Sequence, residues 1–168
     1  NDGSWTLTEA QLANLTITPA DDDSNDFNLT VVGHASDGSE SLSSAGSSLG
    51  VTVNPVADAP ELSVSDVSGN EGEAIDLNIS AALTDASESL SIVIEGAPEG
   101  SLSAGDYDSS TGTYTVTPEQ LSGLQFTPPD VDSDQSYHLT VTAISTDGSD
   151  TRSEEHTSEL QSPDHLVC

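Results

Sequence analysis

Two short acidic runs carry most of the chemistry that residue type and spacing allow. Asp21-Asp22-Asp23-Ser24-Asn25 and Asp130-Val131-Asp132-Ser133-Asp134 place carboxylates or amides at alternate positions. Oxygen donors of this hardness and density suit calcium, which takes about six to eight oxygen ligands. Neither run is an EF-hand. Counted from Asp130, the glycine position holds Gln135 and the closing glutamate position holds Val141; counted from Asp21, Asp26 and Val32 stand there. The whole chain has the same bias, with 30 Asp and Glu against a single Lys or Arg, a net charge of −29. Self-repulsion at that level opposes a compact state, and cations from solution must relieve it. Phosphate binding needs Lys and Arg, so nucleic acid is excluded as a partner. Paired carboxylates could serve glycoside hydrolysis, but the sequence suggests no cleft and no complete domain to hold them. His34 and His138 stand at non-equivalent places beside or within a strand and read as surface or packing residues. The chain reads as non-enzymatic.

The elements that must position these carboxylates are strands. Of the 168 residues, 33% are hydrophobic and 4% aromatic, so any core is thin. Val, Ile, Leu and Thr alternate with polar residues over much of the chain, the mark of half-buried strands. An internal repeat organises them. Gly3, Trp5, Thr8, Gln11, Leu12, Leu15, Thr18 and Pro19 return in order as Gly112, Tyr114, Thr117, Gln120, Leu121, Leu124, Thr127 and Pro128. Leu29, Val31 and Asp37-Gly38-Ser39 return as Leu139, Val141 and Asp147-Gly148-Ser149. A period of about 110 residues is domain-sized, too long for a solenoid unit.

The repeat divides the chain. Residues 1–56 hold the later strands of a first domain, ending on an alternating strand at Leu49 to Val53. Residues 57–60 are a linker, extended and stiff because Pro55 and Pro60 restrict φ. Residues 61–151 hold the earlier strands of a second domain. Strands are expected at Glu61–Val67, Ala74–Leu83, Leu90–Ile94, Thr113–Thr117 and Tyr137–Ile144, with no helix beyond one turn. Ser101 to Ser110 reads as irregular. Residues 152–168 break the pattern. They hold the chain's only Arg and only Cys, and they resemble the conceptual translation of a sequencing-library adapter. The segment is expected to be a non-native tail, its His156, His165 and Cys168 in no zinc-site spacing. Both domains are then expected to be incomplete, the second without its last strand.

The residues resemble a bacterial cadherin-like or Ig-like repeat of large secreted adhesins of the RTX type. The likeness rests on the Thr111-Gly112 turn, Asp130 and Asp132, the Tyr137-x-Leu139-x-Val141 strand and Asp147-Gly148. Val56-Ala57-Asp58-Ala59-Pro60 resembles the family's calcium linker, with alanines at two ligand positions, and Asn70-Glu71-Gly72 resembles the turn after its first strand. The resemblance implies an all-β fold of tandem β-sandwich domains, calcium as cofactor, neighbouring repeats of the same chain as partners, and a secreted or cell-surface bacterial location.

In a sandwich of that kind the chain reverses at alternate ends. Asp58, the loop with Asp85 and Glu88, and Asp147 then meet at the top of the second domain. Asp21 and Asp23 fall at the bottom of the first. These five aspartates are expected to converge on one interdomain calcium site, while Glu71, Asp130 and Asp132 form a half-site at the other end. The expected function is a spacer stiffened by calcium, holding other domains toward a cell-surface or glycan target, with no insertion into a membrane. The alternative is a carbohydrate- or ligand-binding accessory module of a secreted enzyme. That reading needs an exposed aromatic platform, and Trp5 and Tyr114 share one repeat position that reads as core.

Overall fold

A computed structural model describes residues 3–129 and 135–162. The fold is all-β, and the chain forms two compact units, Asn1–Asn54 and Pro55–Cys168.

The first unit begins with residues 4–7 outside any regular element and a single helical turn, α1 (Glu9–Leu12). Thr8 opens the turn: its backbone N–H donates to Gln11 Oε1 at 2.8 Å, satisfying a donor that the turn would otherwise strand. Four strands follow, β1 (Phe27–Val31), β2 (His34–Asp37), β3 (Glu40–Ser43) and β4 (Ser47–Val51). They form one bent antiparallel hairpin, β1 against β4 and β2 against β3. At the bend Gly33 accepts the Ser44 N–H at 2.8 Å and donates to Ser44 Oγ at 3.0 Å. No described residue of this unit is buried.

The second unit contains the core. Its strands are β5 (Glu61–Ser65), β6 (Val67–Ser68), β7 (Ile75–Asp76), β8 (Asn78–Ala82), β9 (Ser89–Glu95), β10 (Asp106–Asp108), β11 (Thr113–Val116), β12 (Gln125–Phe126), β13 (Gln135–Asp147) and β14 (Asp150–Ser162). One sheet has the order β10-β11-β9-β13-β14-β6. Only its last pair, β14 with β6, is parallel. The other pairings are β5 with β8 and β7 with β12, both antiparallel. A single apolar cluster joins these sheets. Ile92, Ile94, Val116, Leu139 and Val141 enter it from the large sheet, and Ile75, Leu77, Leu124 and Phe126 from the other side. The period-2 alternation read from the sequence is what supplies these faces.

The 3-10 turn Pro118–Leu121 stands where α1 does in the repeat and has the same capping contact, Thr117 N–H donating to Gln120 Oε1 at 2.8 Å. Tyr114 is 3% exposed. Its hydroxyl donates to Pro98 O at 3.1 Å and accepts the Gly100 N–H, so it fastens the loop after β9. Tyr114→Phe removes the acceptor of the Gly100 N–H and one donor to Pro98 O, which keeps the Ser101 N–H at 3.1 Å and the Ser101 hydroxyl at 2.6 Å. The expected loss is about 0.5–1.5 kcal/mol, read as a lowered urea midpoint with an unchanged slope.

Two sequence expectations meet a different structure. Ser101 to Ser110 contains β10, and residues 101–103 also bond to β12 through Ser103 N–H to Gln125 O at 2.9 Å and Thr127 N–H to Ser101 O at 2.7 Å. The last-strand position of the second unit, read as vacant, is occupied by β14, which pairs with β13 from Asp147↔Asp150 to Gln135↔Ser162. The expectation rests on the resemblance of residues 152–168 to a translated adapter, and β14 has little apolar alternation to mark it as a strand. Its strand rests on backbone pairing and on a two-residue turn, Gly148-Ser149, whose first residue has φ +56°, as a type II′ hairpin requires. Among the described side chains of β14, Leu160 and Ser158 are buried. The Glu159 N–H donates to Asp66 Oδ1 at 2.8 Å and fixes the far end.

Candidate functional site

β9 and β13 lie side by side in antiparallel register, Ser89 opposite Thr146. Along β9 the inward residues are Leu90, Ile92 and Ile94, and along β13 they are Leu139, Val141, Ala143 and Ser145. The next position of the same parity beyond each strand's core is Glu88 on one and Asp147 on the other. Both stripes therefore run out of apolar residues at one end of the unit and finish on carboxylates.

The linker docks there. Ala57 is 2% exposed and Pro60 is buried. The Ala57 N–H donates to Asp150 Oδ2 at 2.9 Å, and the Asp58 N–H donates to Glu88 Oε1 at 2.6 Å. Asp58 O accepts from Ser145 Oγ, and Ala59 O accepts from Thr84 Oγ1 at 3.3 Å. Two prolines hold the backbone extended, so its amides and carbonyls are available to side chains. Arg152, the chain's only Lys or Arg, lies 4.0 Å from Asp150.

Glu88 is the unusual group. It is 8% exposed, one carboxylate oxygen holds the linker, and the other, Oε2, is buried without a hydrogen-bond partner among the described residues. A carboxylate left in that state carries a desolvation cost that a cation would offset.

The other predicted ligands are placed as follows. Asp58 is exposed beside Glu88, and Asp147 and Asp85 are half-buried at the same end. Asp85 is already occupied locally: Ser87 donates its N–H to Oδ1 at 2.9 Å and its hydroxyl to Oδ2 at 2.6 Å. The Ser87 hydroxyl, then its N–H, hold the Asp85 carboxyl below the ordinary carboxylate range. The same Asp-x-Ser/Asn turn recurs at Asp108 with Ser110 and at Asp23 with Asn25, lowering both carboxyls in the same way. Asp21 and Asp23 are exposed in the first unit. Glu71 is half-buried in the turn between β6 and β7, where the Gly72 N–H donates to Pro128 O at 3.2 Å. Asp130 and Asp132 lie outside the described residues. Among the described residues, no three His, Cys, Asp or Glu side chains stand together as a ready metal cluster.

Glu88 and Asp150 are the residues whose weight the sequence reading missed. The signal for Glu88 was its parity with Ile92 and Ile94, which marks an inward carboxylate. For Asp150 there was none, because it acts from a strand that was not expected.

No family model, curated protein or solved structure matches the chain. No helix among the described residues is long and apolar enough to cross a membrane.

Proposed function

We propose that the chain is a structural spacer built of tandem Ig-like or cadherin-like β-sandwich repeats, carried by a bacterial cell-surface or secreted adhesin, with calcium holding the linker on the second repeat. The buried, half-satisfied carboxylate of Glu88 beneath the docked linker supports this reading most. Calcium would take Glu88 Oε2, with Asp58 and Asp147 beside it and backbone carbonyls and water completing the shell. Asp85 would join only by giving up Ser87. The bound ion would stabilise the folded state and lock the linker, since it binds the native arrangement and not the unfolded chain.

The test is thermal unfolding of the full chain with and without calcium. At calcium about 100-fold above its dissociation constant, the expected stabilisation is about 2.7 kcal/mol. Glu88→Gln keeps a hydrogen-bonding group and removes the charge. It is expected to weaken calcium binding at least about tenfold while leaving the metal-free protein as stable or more so. Asp108→Asn, near the opposite end of β9, is expected to bind as the parent does. An unchanged affinity in Glu88→Gln, or an equal response to sodium, would sink the calcium reading.

A further inference from the structure

The large sheet of the second unit has two faces of different chemistry. Ile92, Ile94, Val116 and Val141 point into the apolar cluster, so the residues that alternate with them point away from it. The register lines these outward residues up across the strands. Thr115 lies opposite Val93, and Val93 opposite Thr142. In the next row Ser91 lies opposite Ile144, and Ile144 opposite Ser153. None of these six is charged, in a chain that holds 30 Asp and Glu. Acids stand only at the margins of the two rows, Glu155 opposite Thr142 and Glu95 two residues beyond Val93. The outward face of β5 and β8 is different. Leu62, Val64 and Ile79 of those strands turn inward, and the residues alternating with them include Ser63, Ser80 and Glu61 but no branched apolar side chain.

We infer that this outward face is where a second copy of the chain docks, sheet against sheet across a two-fold axis. At a net charge of −29, carboxylates oppose the approach of two copies. The opposition is least where both surfaces lack charge, and there Val93 and Ile144 supply apolar area to bury. A basic partner would be drawn to the acidic loops instead, and a small apolar ligand needs a concave pocket, which the face of a sheet does not offer. Glu95 and Glu155 at the margins disfavour displaced arrangements, because carboxylates of the two copies would then overlap. The uncharged patch is about 15 Å across, well short of the about 800 Å² per partner of a stable interface, so the pairing is weak and reversible. This goes beyond the spacer reading by adding side-by-side association of chains, and it does not depend on calcium.

The test is sedimentation velocity of the full chain over a range of concentrations, with a chelator to keep calcium out. A reductant is present, because Cys168, the chain's only cysteine, would otherwise join two copies by a disulfide. The expected result is a monomer–dimer equilibrium whose dissociation constant is at least about tenfold lower at about 1 M than at about 0.1 M sodium chloride. Thr142→Asp and Thr115→Asp each put a carboxylate on the face without entering the core, and each is expected to raise the dissociation constant at least about tenfold. Ser80→Asp adds the same charge to the other sheet and is expected to dimerise as the parent does. An equimolar mixture of Thr142→Asp and Thr142→Lys is expected to form a mixed dimer tighter than either variant forms with itself. Circular dichroism checks that each variant is folded, and Thr115→Asp, at an exposed position, decides the matter if Thr142→Asp is not. A chain that stays monomeric up to about 1 mM at high salt would overturn the proposal. So would association that both face variants leave unchanged, which places the contact elsewhere, or equal weakening by Ser80→Asp, which reduces the effect to net charge.

Discussion

Gly96→Ala is expected to lower the stability of the second unit by at least about 3 kcal/mol and its melting temperature by more than about 10 °C. Gly96 follows the last residue of β9 with φ +87°, where a side chain costs about 1–2 kcal/mol in backbone strain alone. The steric cost adds to it. A Cβ built on Gly96 would lie 2.1 Å from His138 O. That oxygen belongs to the backbone of β13, which is held on both flanks by β9 and β14. It cannot swing away as a side-chain end could, so relief requires moving the strand that supplies Leu139 and Val141 to the core. Gly100→Ala is the matched control. Its φ is +78° and nothing stands within 4 Å of the added carbon, so only the backbone term of about 1–2 kcal/mol applies. Urea unfolding followed by far-ultraviolet circular dichroism separates the two. Equal losses in both variants would show that the approach of β13 to Gly96 is not a constraint on the fold.

Phe126→Ala is expected to cost about 3–5 kcal/mol. The ring is fully buried, its backbone pairs with Ile75, and its centroid lies 5.2 Å from that of Tyr137 at an interplanar angle of 59°. Removing it opens a cavity in the apolar cluster. Ile17 is its counterpart in the first unit. Because Ile17 is half exposed, Ile17→Ala is expected to change stability by less than about 0.5 kcal/mol. The same repeat position then gives a large loss in one unit and almost none in the other.

The charge sets the background for both measurements. With a net charge of −29, repulsion opposes folding everywhere on the surface. Near neutral pH, stability is therefore expected to rise with ionic strength in every variant. Differences between variants should be taken at one salt concentration.

Much of the strand pattern was legible in the residues. The alternation of Leu62 with Val64, of Ile92 with Ile94, and of Leu139 with Val141 marks β5, β9 and β13, and each forms an inward stripe. The repeated Thr8/Gln11 and Thr117/Gln120 spacing became two matching helical turns. Asp58, Asp85 and Asp147 lie at the end of the second unit that holds the linker, but among the described residues no three such side chains stand together. The detail there was not legible. Glu88 and Asp150 hold the linker, whereas Asp85 is engaged with its own turn. Those assignments depend on which donor each carboxylate meets across some tens or more of residues of chain, and no local spacing encodes that.

By itself the sequence determined the all-β class, the faces of the strands and the extended linker. These are properties of φ, ψ and side-chain alternation over a few residues, so they travel with the local sequence. Tertiary structure alone decided burial, as Ile17 and Phe126 show, because burial requires partner strands from elsewhere in the chain. It also decided that the polar run 150–162 becomes a strand. Backbone pairing with β13 needs no apolar pattern, only an open edge and a turn that delivers the chain to it.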